Sequence, residues 1–226
     1  MLGSAQSAEE KTAIDAYFAR DYDQAGRQFS STLKSNPESP ISLLGISKSY
    51  FGQHEFQLQK EAFRNKFKNF QMHLTMLKKA YDYSLEAAVA YKKAASGAQP
   101  NIRRAFSVTE DHIVKQFPES IMKEAYELLV NAPYRKNLLM LYQSRIYDKY
   151  ADADTVEALR EVLIGQCKQY LLDYQYSPYR SRVEEIKSEL LIDYTQIVSL
   201  RQFGDRTGRV YEKFCDLIIE QYPEEK

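Results

Sequence analysis

SAEEKTAIDAYFARDYDQAGRQFSSTLKSNPESP, residues 7–40, reads as a helical hairpin followed by the opening of a third helix. Ser7 and Glu10 have capping-box spacing, in which each side chain satisfies the other residue's free backbone N–H. That predicts a helix from there to about Ala19. Tyr22, Ala25, Phe29 and Leu33 then recur at helical spacing, and Asn36-Pro37 ends the second helix. Ser39-Pro40 restarts the chain, with Ser at the N-cap and Pro at the first helical position, where its missing N–H is not needed.

Outward from this stretch the pattern stays helical. The third helix carries Leu43, Leu44, Ile46 and Tyr50 and is expected to end near Gly52. From His54 to Ser96 there is no Gly or Pro. Phe56, Phe63, Phe67, Phe70, Leu74, Leu77, Tyr81, Leu85 and Ala88 share one side of a helical wheel. That phase favours one long helix, or two nearly coaxial ones, over 54–95; a turn near 69–73 is the alternative. Residues 101–117 read as a helix closing at Phe117-Pro118. Ser120 opens another to about Asn131, and Pro133 opens one through Leu138, Leu141, Tyr142, Ile146 and Tyr150. Asp154 with Glu157 repeats the capping box. Val156, Leu159, Val162, Leu163, Cys167, Tyr170, Leu171 and Tyr174 follow at a period near 3.6. Ser177-Pro178 starts a helix over 178–203, Gly204 ends it, and a last helix spans about 207–221. Residues 1–6 are small and polar and are expected to be disordered. No stretch alternates like a strand.

Composition narrows the function classes. Hydrophobic residues make up 44% of the 226 and charged residues 27%, enough apolar material for a real core. Lys+Arg and Asp+Glu both number 31, and this balance argues against a general nucleic-acid binder, which needs a cationic excess. Gly (8) and Pro (7) are too scarce for many tight strand turns. The two cysteines, Cys167 and Cys215, have no metal-type spacing and fall in apolar stripes, so buried thiols are expected; a disulfide between stacked helices stays open. No run of 18 apolar residues offers a membrane span. MLGSAQSAEE has neither the charged nor the apolar region of a secretory leader.

The segments LKSNPESP (33–40), VKQFPES (114–120), LDYQYSPY (172–179) and IEQYPEE (219–225) share one grammar. An apolar helix ends, an aromatic residue or Pro follows, and a polar cap opens the next helix. Such punctuation marks stacked hairpin units. Residues 6–39 resemble a tetratricopeptide repeat: Ala13, Ala16, Tyr17, Tyr22, Ala25, Phe29 and Pro37 stand at its small, aromatic and Pro positions, and FARDYDQAGRQF (18–29) is the most similar stretch. Residues 40–73 match less well through Ile46, Tyr50, Phe56 and Phe63, with Gln59 at a small-residue position and no closing Pro. The later punctuation, at Pro118, Gln175 and Pro223, departs from the 34-residue period. YSPYRSRVEEI (176–186) resembles the tetratricopeptide lipoproteins of the bacterial outer-membrane β-barrel assembly machinery (BamD-like). The resemblance implies an all-α solenoid of stacked antiparallel hairpins, a single repeat domain over 7–226. It implies a non-catalytic scaffold or adaptor binding a partner peptide or helix, without cofactor, and favours a bacterial envelope complex over the cytoplasm. A homo-oligomer is compatible with it.

In such arrays the first helix of each hairpin lines a concave groove. The matching positions are Glu10, Ile14, Tyr17, Phe18, Leu44, Lys48 and Phe51, with Glu10 and Lys48 at the edge. Packing of Ile14, Phe18 and Leu44 on the next helix is the plainer reading. Lys60, Arg64 and Lys68 flank the Phe stripe. A basic amphipathic helix over 56–79 is therefore a second candidate, lying on an anionic membrane, against the plainer reading of a solvated face. Arg201, Arg206 and Arg209 form a smaller basic cluster, most simply a solvated loop. His54, His73 and His112 are isolated in sequence, with no HExxH spacing, so no zinc site is expected. GxxxxGK[ST], GxGxxG and GxSxG are absent. Glu184-Glu185 and Glu110-Asp111 are adjacent acids that diverge by about 100° on a helix and build no acid–base pair. No enzyme is expected.

Overall fold

The computed structural model describes residues 7–63, 70–137 and 153–191, the side chains at 62–63 and 153–158 excepted. The expected disorder of 1–6, the apolar positions from Leu138 to Tyr150, the Asp154–Glu157 box, the helical stretch beyond 191, the helix over 207–221, Arg64, Lys68, Cys215 and the three late arginines lie outside those residues. The described residues are helical, with no strand among them. They divide into two compact units, 1–125 and 126–226.

In the first unit α1 (Ala8–Phe18) starts at the Ser7 cap. Ser7 Oγ accepts the Glu10 N–H at 3.0 Å and Glu10 Oε2 accepts the Ser7 N–H at 3.1 Å, as the spacing predicts. Arg20, at φ 63°, turns the chain sharply into α2 (Tyr22–Ser35), which Asp21 caps by accepting the Gln24 N–H. The second turn falls at 36–39, and α3 (Pro40–Phe63) starts at Pro40 behind Ser39.

Three boundaries differ from the sequence expectation, each for a physical reason. First, Gly52 does not end the third helix; α3 runs through it. Gly45 and Gly52 are seven residues apart on one face, as are Phe29 and Tyr22 on α2. A Cβ on Gly45 would come within 2.5 Å of the Phe29 ring, and one on Gly52 within 2.6 Å of the Tyr22 ring. The two glycines are sockets that let α2 close on α3.

Second, 54–95 is not one long helix, and neither is 56–79. α3 and α4 (Phe70–Lys93) pack side by side: Ser47 Oγ donates to the Ala80 carbonyl at 2.5 Å, the Tyr50 and Tyr83 rings stack at 6.4 Å, and His54 meets His73 at 3.0 Å. Residues 19 apart in one helix would sit about 28 Å apart at 1.5 Å per residue. Hairpin partners both turn their apolar stripe to the shared core, so a common phase does not signal continuity.

Third, α5 is short (Gln99–Ala105), and after Ser107 (φ 52°) a new helix runs unbroken from 110 to 137. Phe117-Pro118 does not end it, and neither Ser120 nor Pro133 opens a fresh one. Its central α-helical stretch, α6 (Phe117–Tyr126), is flanked by π turns at His112–Gln116 and Glu127–Asn131. Each π turn ends two residues before a proline, Pro118 or Pro133. In an α-helix a proline ring collides with the carbonyl four residues back and leaves it without a donor. The wider turn, closed by Phe117 N–H to His112 O and by Ala132 N–H to Glu127 O, takes up both problems.

In the second unit, the helix from 126 to 137 is followed by α7 (Ala153–Asp173) and α8 (Arg180–Leu191). The turn at 174–178 is where the punctuation predicts it. The Tyr170 hydroxyl meets Ser177 Oγ at 2.6 Å, and Arg180 donates to the Leu171 carbonyl at 2.9 Å. Tyr126 stacks on Tyr179 at 4.7 Å, and Leu163, Cys167, Tyr170, Tyr174, Val183 and Ile186 fill the core. Cys167 is a free buried thiol that burial pushes up to about 11. No described helix is long and apolar enough to cross a membrane.

Candidate functional site

The groove positions fare unequally. Ile14 and Leu44 are buried in the first unit's core. Glu10 is also buried, its Oε1 accepting from Ser39 Oγ at 2.6 Å and Ser42 Oγ at 3.2 Å, so it clasps α1 to the start of α3. Tyr17 and Phe51 are half-buried against later residues of the chain. Tyr17 meets Phe106 edge-on at 5.8 Å, and Phe51 meets Phe117 at 5.7 Å. Phe18 stands apart: it is 56% exposed, held edge-on by the Tyr17 ring at 5.4 Å. Phe56 on α3 is 52% exposed, with the Lys60 ammonium 5.4 Å from its ring centroid.

Around Lys48 several of the unit's perturbed titratable groups gather. Lys48 is buried; its Nζ donates to His112 Nε2 at 3.2 Å and lies 4.4 Å over the Phe117 ring. The π turn makes this possible, because its i→i−5 bond sets His112 and Phe117 on one face, where their rings stack at 5.6 Å. Burial lowers the Lys48 ammonium to about 8, partly opposed by Glu55. Burial lowers His112 as well, and the Lys48 charge adds to it. Glu55 is raised by burial and by Glu124, against the pull of His54 and Lys48. Burial, then Tyr22 and Glu55, push the Tyr17 phenol up to about 12. Clustered shifts of this kind mark functional sites more often than inert surface.

Behind this cluster lies a second polar group that the sequence alone did not reveal. His54 Nδ1 and His73 Nδ1 are 3.0 Å apart, with the rings perpendicular and both residues fully buried. His54 Nε2 faces Glu124 Oε1 at 3.4 Å, and His73 Nε2 faces Glu61 Oε2 at 3.3 Å. The hydrogen bond from His54 is the main reason the Glu124 carboxyl titrates below its ordinary value. Two of the three histidines read as isolated, His54 on α3 and His73 on α4, are thus joined, with Glu124 of α6 on the far side of His54. The available signal was positional: His73 stands one turn before buried Leu77, and His54 stands seven residues before Glu61, on one face of α3. No three His, Cys, Asp or Glu among the described residues converge as a metal site.

Lys60 is exposed beside Phe56, whereas Lys78 pairs with Asp82 at 2.6 Å and Lys79 lies over the Tyr50 ring at 5.1 Å. A separate notch of about 610 Å³ opens where the 36–39 turn meets the end of α4, walled by Pro37, Pro40, Leu43, Leu85 and Val89. It holds no cluster of perturbed groups. The site and fold describe an all-α protein of packed helical hairpins. Comparison of the chain with known protein families, with curated proteins and with solved structures gives no match.

Proposed function

We propose that the chain is a non-catalytic scaffold of the tetratricopeptide type, whose stacked hairpins present the α1–α3 side to a peptide or helix of a protein partner. The observation that carries this reading is Phe18, a groove position that remains 56% exposed although the groove position one turn before it, Ile14, is buried. Three features support the arrangement. The repeat-matching Ala13, Ala25 and Phe29 are buried, α1 and α2 pack as a hairpin, and α3 lies against both. Exposed aromatic side chains beside half-buried ones are the usual anchors of protein interfaces. Membership of a bacterial envelope assembly belongs to the same proposal and rests on the resemblance of residues 176–186.

A photo-crosslinking residue at position 18 or 56, with position 172 as control, tests the reading. A partner captured at 18 and 56 but not at 172 is then purified and titrated. The Phe18→Ala/Phe56→Ala chain should bind it about tenfold or more weakly, since aromatic hot spots are worth roughly 2 kcal/mol or more. Equal capture at 172, or unchanged affinity, rejects the groove.

The exposed Phe56–Lys60 pair also favours a second reading, a peripheral contact with an anionic membrane. Flotation with vesicles containing phosphatidylserine that is lost in Lys60→Glu would select it over the first.

A further inference from the structure

Surface cations on two helices of this protein pair with acids one turn away, Lys78 with Asp82 and Arg182 with Glu185. On α2 they do not. Arg27 and Lys34 are exposed, and neither makes an ion pair or a hydrogen bond among the described residues, although Asp23 stands one turn before Arg27. Both line a trough of about 460 Å³ on the seam between α2 and α3, with Ser31 beside them and Tyr50 on the α3 wall. From α4 the Lys79 ammonium adds a third cation, 3.5 Å from the Tyr50 hydroxyl oxygen and 5.1 Å from the ring centroid. Asp82, the next acid along α4, is taken by Lys78. Asp23 is the one acidic residue lining the trough. Three cations against one anion leave a local excess of positive charge, in a chain whose 31 cationic and 31 anionic side chains cancel.

Gly26 lines the same trough, and packing does not require it. At Gly45 and Gly52 a Cβ would strike a ring, but one on Gly26 would meet Ser49 Cβ at 3.5 Å and Gln53 Nε2 at 3.9 Å, ordinary contact distances. A glycine inside a helix costs stability relative to alanine. Here it leaves the trough open down to the backbone of α2. Arg27 and Lys34 lie two turns apart, about 10 Å along the helix axis. About three residues of extended chain cover that span. Two cations so far apart suit carboxylates spaced along a chain better than one compact anion.

We propose that the α2–α3 trough binds a short acidic segment of a protein partner in extended form, its carboxylates on Arg27 and Lys34 and its backbone over Gly26. The Tyr50 hydroxyl accepts from Lys79, which leaves its own proton for a further acceptor, and Ser31 adds a second hydroxyl. The zero net charge of the chain speaks against a nucleic acid as the occupant, because such a polyanion calls for a cationic excess over the whole molecule. The trough shares no residue with the Phe18 and Phe56 surface, so it goes beyond the scaffold reading and is tested apart from it.

The test titrates the full chain with end-blocked hexaglutamate at about 0.1 M salt, where charges more than roughly 10 Å apart are largely screened. Inorganic phosphate, a single-stranded oligonucleotide of equal charge and phosphatidylserine vesicles are run in parallel. Arg27→Glu/Lys34→Glu should weaken hexaglutamate binding about tenfold or more, because two attractions become repulsions. Lys115→Glu/Lys136→Glu makes the same change of charge at exposed positions that line no part of the trough. It should weaken binding less than about threefold. Gly26→Leu fills the floor and alters no charge, so it should also weaken binding about tenfold or more, a loss that long-range attraction alone would not produce. Circular dichroism checks that each variant folds, and the two charge-reversed chains decide the matter if Gly26→Leu does not. Absence of saturable hexaglutamate binding overturns the proposal, as do equal losses in the two charge-reversed chains or unchanged binding by a folded Gly26→Leu. Phosphate that displaces the peptide at equal concentration overturns it in favour of a simple anion site. Tighter binding of the oligonucleotide, or of vesicles, that is lost in Arg27→Glu/Lys34→Glu overturns it in favour of a nucleic acid or a membrane. None of these outcomes alters what crosslinking from positions 18 and 56 would show.

Discussion

Burial lowers the Lys48 ammonium from its ordinary 10.5 to about 8, and this sets the direction of its effect on stability. Below about 8 the native and unfolded chains both carry the proton, and the native state bears the full cost of the buried charge. From about 8 to 10.5 the native chain gives the proton up while the unfolded chain keeps it, so stability rises with pH across that window. Lys48→Met should therefore stabilise the protein at pH 7 by roughly 2 kcal/mol, the desolvation cost less the lost contact with the Phe117 ring. The alkaline gain should vanish with it; urea unfolding at pH 7 and pH 10 checks both. The glycines allow an equally direct test. Gly45→Ala forces a Cβ into the Phe29 ring at 2.5 Å and should cost about 1–3 kcal/mol, the usual range for overpacking. Gly97→Ala meets no atom within 4 Å and should change stability by less than about 0.5 kcal/mol. At this scale the sequence was partly legible. The Ser7–Glu10 capping box could be read because both partners lie within one turn of chain. The second role of Glu10, holding Ser39 and Ser42, could not, because those partners are brought to it by the fold. The histidine chain was hidden for the same reason: 19 residues separate His54 from His73, and 70 separate it from Glu124.

Helix boundaries were legible where the breaking residue stops the backbone outright. Asn36-Pro37 ahead of Ser39-Pro40, and Tyr176 ahead of Ser177-Pro178, both mark turns, because each pairs a proline with a side chain that caps or braces the turn. Phe117-Pro118 uses the same letters and marks no turn, because the helix widens by one residue and continues. Whether a proline ends a helix or widens it depends on what the following turns pack against. Here Ile121, Met122 and Ala125 are buried, and stopping at Pro118 would leave that face without its core. The long-helix expectation failed on a related point, since periodicity reports which side of a segment is buried and not where the segment folds back. One helix interior offers room for improvement. Gly165 lies in α7, exposed, with open space where its Cβ would stand. Gly165→Ala should raise stability by about 0.5–1 kcal/mol through backbone entropy alone, visible as a higher urea midpoint with an unchanged slope. A loss of stability would mean that this face is covered in solution.

Across the whole molecule, charge and exposed apolar surface act on the same property. Cationic and anionic side chains number 31 each, so near pH 6.8 the chain has no net charge to hold copies apart. Phe18 and Phe56 in the first unit, and Leu172 and Tyr176 in the second, stand more than half exposed and give approaching copies something to bury. Copies should attract at pH 6.8 and low salt, giving a negative second virial coefficient in static light scattering. By pH 8.5 the net negative charge should make it positive, and added salt should bring it back down by screening that repulsion. The Phe18→Ser/Phe56→Ser chain separates general stickiness from a particular surface. If the α1–α3 side is the one shaped to receive a partner, removing its two rings should abolish most of the attraction at pH 6.8, while Leu172→Ser/Tyr176→Ser removes little. Equal effects from the two pairs would mean that the Phe18 side is no stickier than the rest of the surface, and that the exposure of Phe18 marks no special face.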